Sequence, residues 1–208
     1  PASYRDTFSP LEAAEDIERI EQVLEGKAAC GHVGAHVYGR EGDKASALRL
    51  KLFARGGFVA LSQCLPVFEN LGLKVIAEDA FAISPAGRDG KPAEAALQKF
   101  LMERADGGPA DLMRVKLLLE DAFHAVWAGR CESDGFNRLV IGAGLDWRDV
   151  SVLRMLAKYL RQAGLMLSQS YMENALVKNP DIAGLLVALF RARHDPALSD
   201  GRIAATQS

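Results

Sequence analysis

The chain has 208 residues, of which 49% are apolar, and a formal net charge of -2. This length accommodates one domain or two small ones, each with a buried core. A net charge so close to zero argues against nucleic acid as the partner, because phosphate binding needs a basic surface. The apolar runs are too short to cross a bilayer. The three cysteines Cys30, Cys64 and Cys131 are far apart in the sequence. That spacing favours a reduced, cytoplasmic protein over a disulfide framework or a zinc site.

A helix is predicted near the start of the chain. Ser9 and Glu12 have the spacing of a capping box, and Pro10 stands in the first helical position, where its missing N–H does least harm. Gly26 is a suitable end. Apolar residues at helical spacing predict its buried stripe, which comprises Leu11, Ala14, Ile17, Ile20 and Leu24.

The next stretch predicts a β-hairpin. Apolar residues alternate over residues 33–37 and again over residues 48–52, on either side of a turn signal at Gly39–Asp43. Because side chains of a strand alternate between its two faces, each run presents one apolar face. Gly56 and Gly57 then end the second strand.

A second helix and two further strands complete this half. The helix is predicted from Ser62, with Pro66 in its first turn and Gly72 as its stop. The strands are predicted over residues 74–83 and 95–103, joined by a turn-rich connection at 85–92. Residues 1–106 therefore predict an α+β domain in which two helices cover one face of a small antiparallel sheet.

The second half of the chain predicts an all-α bundle. After Ala105–Pro109 the strand pattern does not return, and residues 107–196 predict about five short helices. Residues 197–208 are expected to form a disordered tail. Helices other than the central tandem are predicted over residues 111–128, 168–177 and 180–193.

Two helices in tandem occupy the centre of this half. Asp134 can cap the first and Gly144 can close it, while Asp146 caps the second and Gly164 closes that one. In the last helix of the chain, the apolar residues predicted to face the core are Ile182, Leu185, Leu186, Leu189 and Phe190.

Several patterns could carry chemistry, and each has a structural explanation that is favoured. Gly142–Gly144 lacks the preceding strand and third glycine of a nucleotide loop, so a helix end explains it better. His32 and His36 lack further metal ligands and favour a half-exposed sheet face. His124 is interpreted as a packing or helix-surface residue. Cys131 has no assignable base or oxyanion donor.

The polar cluster most worth attention comprises Asp134, Asn137 and Arg138. On one helical turn these residues could cap the helix and pair with another element through an arginine–carboxylate contact. Trp147 is interpreted as a core anchor of the bundle. With Arg148, these residues are the candidates for a structural or interface role, and no catalytic, cofactor-binding or metal-binding residue is predicted.

One long motif supplies a resemblance. The stretch Glu132–Arg154, E-S-D-G-F-N-R-L-V-I-G-A-G-L-D-W-R-D-V-S-V-L-R, followed by Y-L-R-Q-A-G, resembles the large bacterial NAD-specific glutamate dehydrogenases. Leu48–Gly57 and Leu65–Ile76 are similar to the region of that family ahead of its catalytic domain. The resemblance extends from about Tyr4 to Pro196.

The resemblance implies a parent enzyme that oxidises L-glutamate to 2-oxoglutarate and ammonia with NAD, and whose catalytic residues lie in a later domain. This chain would then be a non-catalytic regulatory or assembly segment, comprising an ACT-like, ferredoxin-like α+β domain and a helical connector, with no cofactor of its own. Its partners would be the catalytic domain of the same chain and further copies of the enzyme. Two alternatives stay open, namely an amino-acid-sensing ACT-like module and a protein-interaction module without a ligand.

One departure from the ACT pattern concerns the sheet. No strand precedes the first predicted helix, although an ACT domain has a leading strand. Either that strand is missing, or the strand predicted over Ala95–Glu103 takes its place.

Overall fold

The computed structural model describes residues 2–84 and 93–194. For residues 2 and 3 it describes only the backbone. Four strands form one antiparallel sheet, namely β1 (Val33–Tyr38), β2 (Ala47–Arg55), β3 (Leu73–Ile83) and β4 (Ala95–Arg104). Their spatial order is β1-β2-β4-β3. Strand β4 therefore lies in the centre of the sheet, antiparallel to both β2 and β3. This position agrees with the alternative in which the last strand takes the place of a leading strand.

The helices are α1 (Ala2–Thr7), α2 (Pro10–Leu24), α3 (Leu61–Asn70), α4 (Leu112–Trp127), α5 (Leu139–Gly142), α6 (Trp147–Gln162), α7 (Gln169–Lys178) and α8 (Pro180–His194). A short 3₁₀ turn, Gly135–Arg138, leads directly into α5. The predicted α+β class is confirmed, as an antiparallel sheet with helices followed by a helical region. The predicted connection at 85–92 and the predicted tail at 197–208 lie outside the described residues.

Both faces of the sheet are covered. One cluster of buried side chains joins a face of the sheet to α3 and α4, and it includes Leu50, Leu52, Phe68, Phe100 and Phe123. A second cluster on the opposite face includes Phe8, Ile20, Val23, Phe53 and Leu97. The prediction of two helices on one face is therefore wrong for α2, which packs on the face opposite α3. The physical reason is that β2 is buried on both sides from Leu50 to Ala54 and needs two covers.

The capping box of α2 is confirmed, but its predicted buried stripe is partly wrong. The Ser9 hydroxyl accepts a hydrogen bond from the Glu12 N–H, and the Glu12 carboxylate accepts one from the Ser9 N–H. Leu11, Ala14 and Ile17 of that stripe are exposed. The buried residues of α2 are Asp16, Ile20 and Val23. The helix is rotated from its most apolar orientation because Asp16 has a charged partner in the sheet.

Helix α3 differs from its prediction in one detail. It begins at Leu61, without a side-chain cap, so Pro66 is its sixth residue and lies inside the helix rather than in its first turn. Leu71 and Gly72 follow the helix, and Gly72 has the positive φ of 81° that favours glycine. Phe68, two residues after Pro66, is fully buried, so packing maintains the helix although Pro66 has no N–H to donate.

Helix α4 covers the open edge of β1. The Ala35 N–H donates to His124 Nε2 at 3.0 Å, and the Val37 N–H donates to Glu120 Oε1 at 2.7 Å. An edge strand otherwise presents unpaired N–H groups that can recruit another chain. Two side chains of α4 therefore satisfy the edge donors of β1.

The tandem helices form as predicted. Asp134 accepts from the Phe136 N–H at the start of the 3₁₀ turn, and Asp146 accepts from the Asp149 N–H at the start of α6. Gly144 and Gly164 follow the two helices with positive φ values of 67° and 98°. Local sequence therefore determines both starts and both ends.

The large cluster of buried side chains continues from the sheet into the helical region. It includes Phe68 of α3, Phe123 of α4, Leu153 of α6 and Val187 of α8. In α8 the buried residues are Ala183 and Val187. The prediction for this helix is wrong for Ile182, Leu185, Leu186 and Leu189, which are exposed. The division at residue 106 between two domains stays a prediction.

Candidate functional site

The candidate residues Asp134 and Asn137 meet at a buried arginine. Arg154 of α6 is 4% exposed. Its Nε and Nη2 donate to the two carboxylate oxygens of Asp134 at 2.7 and 2.8 Å, which is the bidentate geometry of a strong arginine–carboxylate pair. Nη2 also donates to the Asn137 Oδ1. The predicted arginine–carboxylate contact therefore exists, but its arginine comes from α6.

The same guanidinium joins further parts of the chain. It donates to the Glu132 carbonyl and to the Ser151 hydroxyl, both at 3.4 Å, while Asn137 Nδ2 donates to the same Glu132 carbonyl at 3.0 Å. Burial alone would lower the pKa of Arg154, but the hydrogen bonds and charge of Asp134 outweigh burial and raise it. Arg154 is thus a charged hub that connects residues 132–137 to α6.

Arg138 does not belong to this network. Its Nη1 donates to Asn174 Oδ1 of α7 at 3.4 Å, in an exposed contact. Trp147 packs against the core, as its interpretation as an anchor required. The Arg148 guanidinium lies 4.3 Å from the centre of the Trp147 ring and that of Arg130 lies 5.6 Å from it. These distances are typical of cation–π contacts.

Sequence reasoning missed Arg154 itself, although a signal was present. In α6 the buried residues are Val150, Leu153, Arg154 and Ala157, together with Asp149. An arginine within an apolar stripe requires a buried partner, because an unpaired buried charge is strongly unfavourable. That pattern was readable, whereas the identity of the partner depends on the fold.

A second buried ion pair was also missed. Lys51 of β2 donates to both carboxylate oxygens of Asp16 at 2.8 and 2.7 Å. The Tyr4 hydroxyl donates to the same carboxylate, and the Lys51 ammonium lies 4.1 Å from the centre of the Phe8 ring. The signal was a lysine in an apolar strand facing an aspartate within a buried helix face. This pair attaches α2 to the sheet.

The open cleft beside Arg154 contains potentially reactive groups. Its volume is about 610 Å³, and its lining includes Cys131, Ser151, Lys158 and Tyr159. The Cys131 Sγ lies 3.4 Å from the Glu132 carbonyl oxygen and 4.0 Å from the Ser151 hydroxyl. Among the described residues that line this cleft there is no histidine, and Lys158 is paired with the Glu132 carboxylate. The cleft therefore lacks the nucleophile–base pair of an acyl-transfer site.

A polar cleft of about 390 Å³ lies where α2, β1 and α4 meet. Arg19 Nη2 lies 2.9 Å from His36 Nδ1, and Glu120 Oε1 lies 3.3 Å from the same nitrogen. A guanidinium can only donate, so the shorter contact assigns the acceptor role to Nδ1. His36 is 8% exposed, which corrects its predicted half-exposed position. His32 lies before β1, is exposed, and has its Nδ1 2.9 Å from the Val23 carbonyl.

His124 is the remaining buried histidine of this cleft. Its Nε2 accepts the Ala35 N–H, so that nitrogen carries no proton in the folded chain. Burial lowers the pKa of His124, although the nearby carboxylates of Glu120 and Asp121 act in the opposite direction. Its interpretation as a packing residue agrees with this environment.

Over residues 2–84 and 93–194, no group of three or more histidine, cysteine, aspartate or glutamate side chains is arranged to bind a metal ion. Within the same ranges, no helix has the length and apolar character needed to cross a membrane.

Comparisons with known proteins assign this chain to a family. Three family profiles match, namely glutamate dehydrogenase helical motif 2 over residues 1–23, the glutamate dehydrogenase ACT3 domain over residues 32–115, and glutamate dehydrogenase helical motif 3 over residues 131–196. The NAD-specific glutamate dehydrogenase of Halomonas elongata is 37% identical over 201 residues, which cover 97% of this chain. The chain belongs to the glutamate dehydrogenase family. The resemblance stated from the motif is thereby confirmed.

Two other relatives carry the same name. The NAD-specific glutamate dehydrogenase of Pseudomonas aeruginosa is 35% identical over 93% of this chain, and that of Mycobacterium tuberculosis is 33% identical over 95%. The chain spans only 11 to 12% of the length of these relatives. Within the glutamate dehydrogenase family, the ACT3 profile covers the whole sheet, and helical motif 3 covers the Arg154 network and α8.

Proposed function

We propose that this chain is a non-catalytic regulatory or assembly segment of an NAD-dependent glutamate dehydrogenase in the cytoplasm. The parent reaction converts L-glutamate, NAD and water to 2-oxoglutarate, ammonia and NADH. The partners of the segment are the catalytic domain of the same polypeptide and further copies of the enzyme. Asp134, Asn137, Arg138, Trp147 and Arg148 have structural or interface roles in this proposal.

The observation that carries the proposal is the engagement of the buried charged groups with one another. The guanidinium of Arg154 is occupied by Asp134, Asn137 and the backbone, and the ammonium of Lys51 is occupied by Asp16. A catalytic acid or base must reach a reacting group with its own proton or lone pair. Groups that are fully engaged in connecting helices, turns and strands stabilise a scaffold instead.

The test compares the 208-residue chain with the longer parent polypeptide. The isolated chain should form no NADH from glutamate and NAD, and the parent should form it under the same conditions. A parent polypeptide that lacks the segment should lose activity or its oligomeric state. Turnover by the isolated chain would contradict the non-catalytic role, and a deletion variant with full activity and normal assembly would contradict the regulatory or assembly role.

A second candidate is amino-acid sensing, and the polar cleft at the edge of β1 favours it. Arg19 could contact a ligand carboxylate, while Glu18 and Glu120 could contact its ammonium group. The cleft of about 390 Å³ leaves room for a small polar molecule. In this alternative, the ligand would connect α2 to α4 and thereby alter how the segment docks in the parent enzyme.

Thermal unfolding with added amino acids tests the sensor. A ligand at a hundred times its dissociation constant should stabilise the chain by about 2.7 kcal/mol. Arg19→Met should abolish that shift, whereas Arg5→Met on α1, which changes an exposed arginine, should preserve it. Equal melting temperatures with and without glutamate, 2-oxoglutarate and the other amino acids would eliminate this alternative.

A further inference from the structure

Helix α8 faces its neighbours with small residues and faces water with large ones. Its buried residues are Ala183 and Val187. On the other side, Ile182, Leu185 and Leu189 are 52, 69 and 55% exposed, and Leu186 is 37% exposed. Packing normally buries the large apolar residues of a helix, because each contributes more free energy on burial than a smaller one. The main packing face of α8 is therefore left uncovered by the part of the chain that the structure describes.

The exposed residues form one continuous line. Ile182, Leu185, Leu186 and Leu189 have the spacing i, i+3, i+4 and i+7, which places them on one side of the helix. We name these four residues the α8 stripe. This spacing is the pattern by which a helix inserts into an apolar groove of a partner. A stripe of four large side chains on a span of about two turns is also more than isolated surface leucines, which are common on soluble proteins.

We propose that the α8 stripe docks into an apolar groove in another part of the same glutamate dehydrogenase polypeptide. This inference rests on the proposed function, because it assumes that the chain is a segment of the longer enzyme. The relatives supply the reason for an occupant within the same polypeptide, since the match covers only 12% of their length. The profile for helical motif 3 includes the whole of α8.

Charge identifies a further feature of the groove. Arg193 follows the stripe on the same side of the helix and is exposed, and among the described residues it has no ion-pair partner. Arg191, by contrast, is paired with Asp149 at 2.6 Å. The groove should therefore carry a carboxylate at the end that receives Arg193.

The same charges disfavour a parallel pairing with a second copy of this chain. That pairing would place the two Arg193 residues side by side. Like charges next to each other at an interface oppose association. The oligomeric state of the isolated chain tests the antiparallel pairing.

The experiment uses Leu185→Gln/Leu189→Gln, with Ala188→Gln on the flank of the stripe as the matched control. In the 208-residue chain, both variants should change the melting temperature only slightly, because the altered side chains are already mostly exposed. In the parent polypeptide, the stripe variant should lower the melting temperature and expose α8 to protease, whereas the control should not. The expected weakening of docking is about tenfold or more for each leucine removed from the groove.

Three outcomes would overturn the proposal. The first is equal covalent footprinting of residues 179–193 in the parent and in the isolated chain, because a docked stripe must be protected. The second is a parent whose stability the stripe variant leaves unchanged. The third is concentration-dependent dimerisation of the isolated chain that the stripe variant abolishes, which would identify a second copy as the occupant. These readouts do not involve turnover, so they fail independently of the proposed function.

Discussion

The Lys51–Asp16 and Arg154–Asp134 ion pairs differ in how many elements each connects. Lys51 and Asp16 form a compact pair between β2 and α2, with the Tyr4 hydroxyl as an additional donor. Arg154 instead contacts Asp134 and Asn137, as well as the backbone of Glu132. An ammonium is a point charge, whereas a guanidinium presents several donors in a fixed plane. The first pair is a local attachment, and the second is a hub.

The two ion pairs differ in whether apolar residues can replace both charged partners without loss of stability. A buried ion pair can often be exchanged for apolar residues of similar volume at little cost in stability, but removal of one partner leaves an uncompensated charge. A hub differs because its partners include the uncharged Asn137, whose Oδ1 still needs a donor after the charges are gone. Double variants that remove both charges separate these two cases.

The largest effect is expected for Arg154→Met. This change leaves Asp134 and Asn137 without their shared donor and should lower the free energy of unfolding by about 3–5 kcal/mol. Urea unfolding of the 208-residue chain measures it. Arg138→Met, which affects only an exposed contact, is the control. Its free energy of unfolding should remain within about 0.5 kcal/mol of that of the unsubstituted 208-residue chain.

A double variant decides whether Arg154 is a hub. Arg154→Met/Asp134→Leu should remain nearly as unstable as Arg154→Met, because Asn137 Oδ1 still lacks a donor and the cap at Phe136 is lost as well. Recovery of the original stability in this double variant would mean that Arg154 is only one half of a simple pair.

The second largest effect is expected for Lys51→Met. Loss of the ammonium leaves the buried Asp16 carboxylate with only the Tyr4 donor, and the expected cost is again about 3 kcal/mol. Here Lys51→Met/Asp16→Leu should restore most of the stability, in contrast to the Arg154 double variant. If both double variants behaved alike in urea unfolding, the distinction between pair and hub would be wrong.

A smaller effect is expected from acidification, through His124. Because burial lowers the pKa of His124 in the folded chain, the unfolded chain takes up the proton first as the pH falls. The stabilising contribution is therefore complete above about pH 6.5 and is lost as the pH falls from there through the lower pKa of the folded chain. Protonation of His124 Nε2 would also remove the acceptor for the Ala35 N–H, because the protonated nitrogen can only donate.

The measurement for His124 is urea unfolding above and below about pH 6.5. His124→Gln removes the titrating group, so its stability should fall less on acidification than that of the original chain. The two proteins differ only at residue 124, so the contributions of all other groups cancel in the difference. Identical pH dependences for the two proteins would contradict this account.

The smallest effect is expected at the joint of the tandem helices. Arg148→Ala removes the guanidinium that lies 4.3 Å from the Trp147 ring and should lower the free energy of unfolding by about 0.5–1 kcal/mol. Arg148→Lys retains a cation and should recover part of the loss. A change beyond about 2 kcal/mol in urea unfolding would mean that Arg148 has another buried partner.

Much of the fold was predictable because its signals are local. The capping box at Ser9, the caps at Asp134 and Asp146, and the stops at Gly144 and Gly164 involve residues a few positions apart. The chain forms these contacts whatever lies around it. The same reasoning gave Asp134 as a member of the candidate site, since a cap is visible in sequence.

The partners in the candidate site were not predictable in the same way. Arg138 is close to Asp134 in sequence and was grouped with it, whereas the arginine that pairs with Asp134 is twenty residues away on another helix. Proximity in sequence suggested the wrong arginine. Burial of a charge can be suspected from an apolar stripe, but its partner depends on how two helices are placed.

The sequence by itself determined where nearly every described helix and strand begins and ends, that the chain is α+β, and that it is a glutamate dehydrogenase segment, because caps, periodicity and motifs are properties of neighbouring residues. Only the tertiary structure decided which side of each helix is buried. In α2 the Asp16–Lys51 pair turned three apolar residues outward, and in α8 the buried residues are only Ala183 and Val187. The orientation of a helix depends on the surface it packs against, and that surface is assembled from residues far away in the chain.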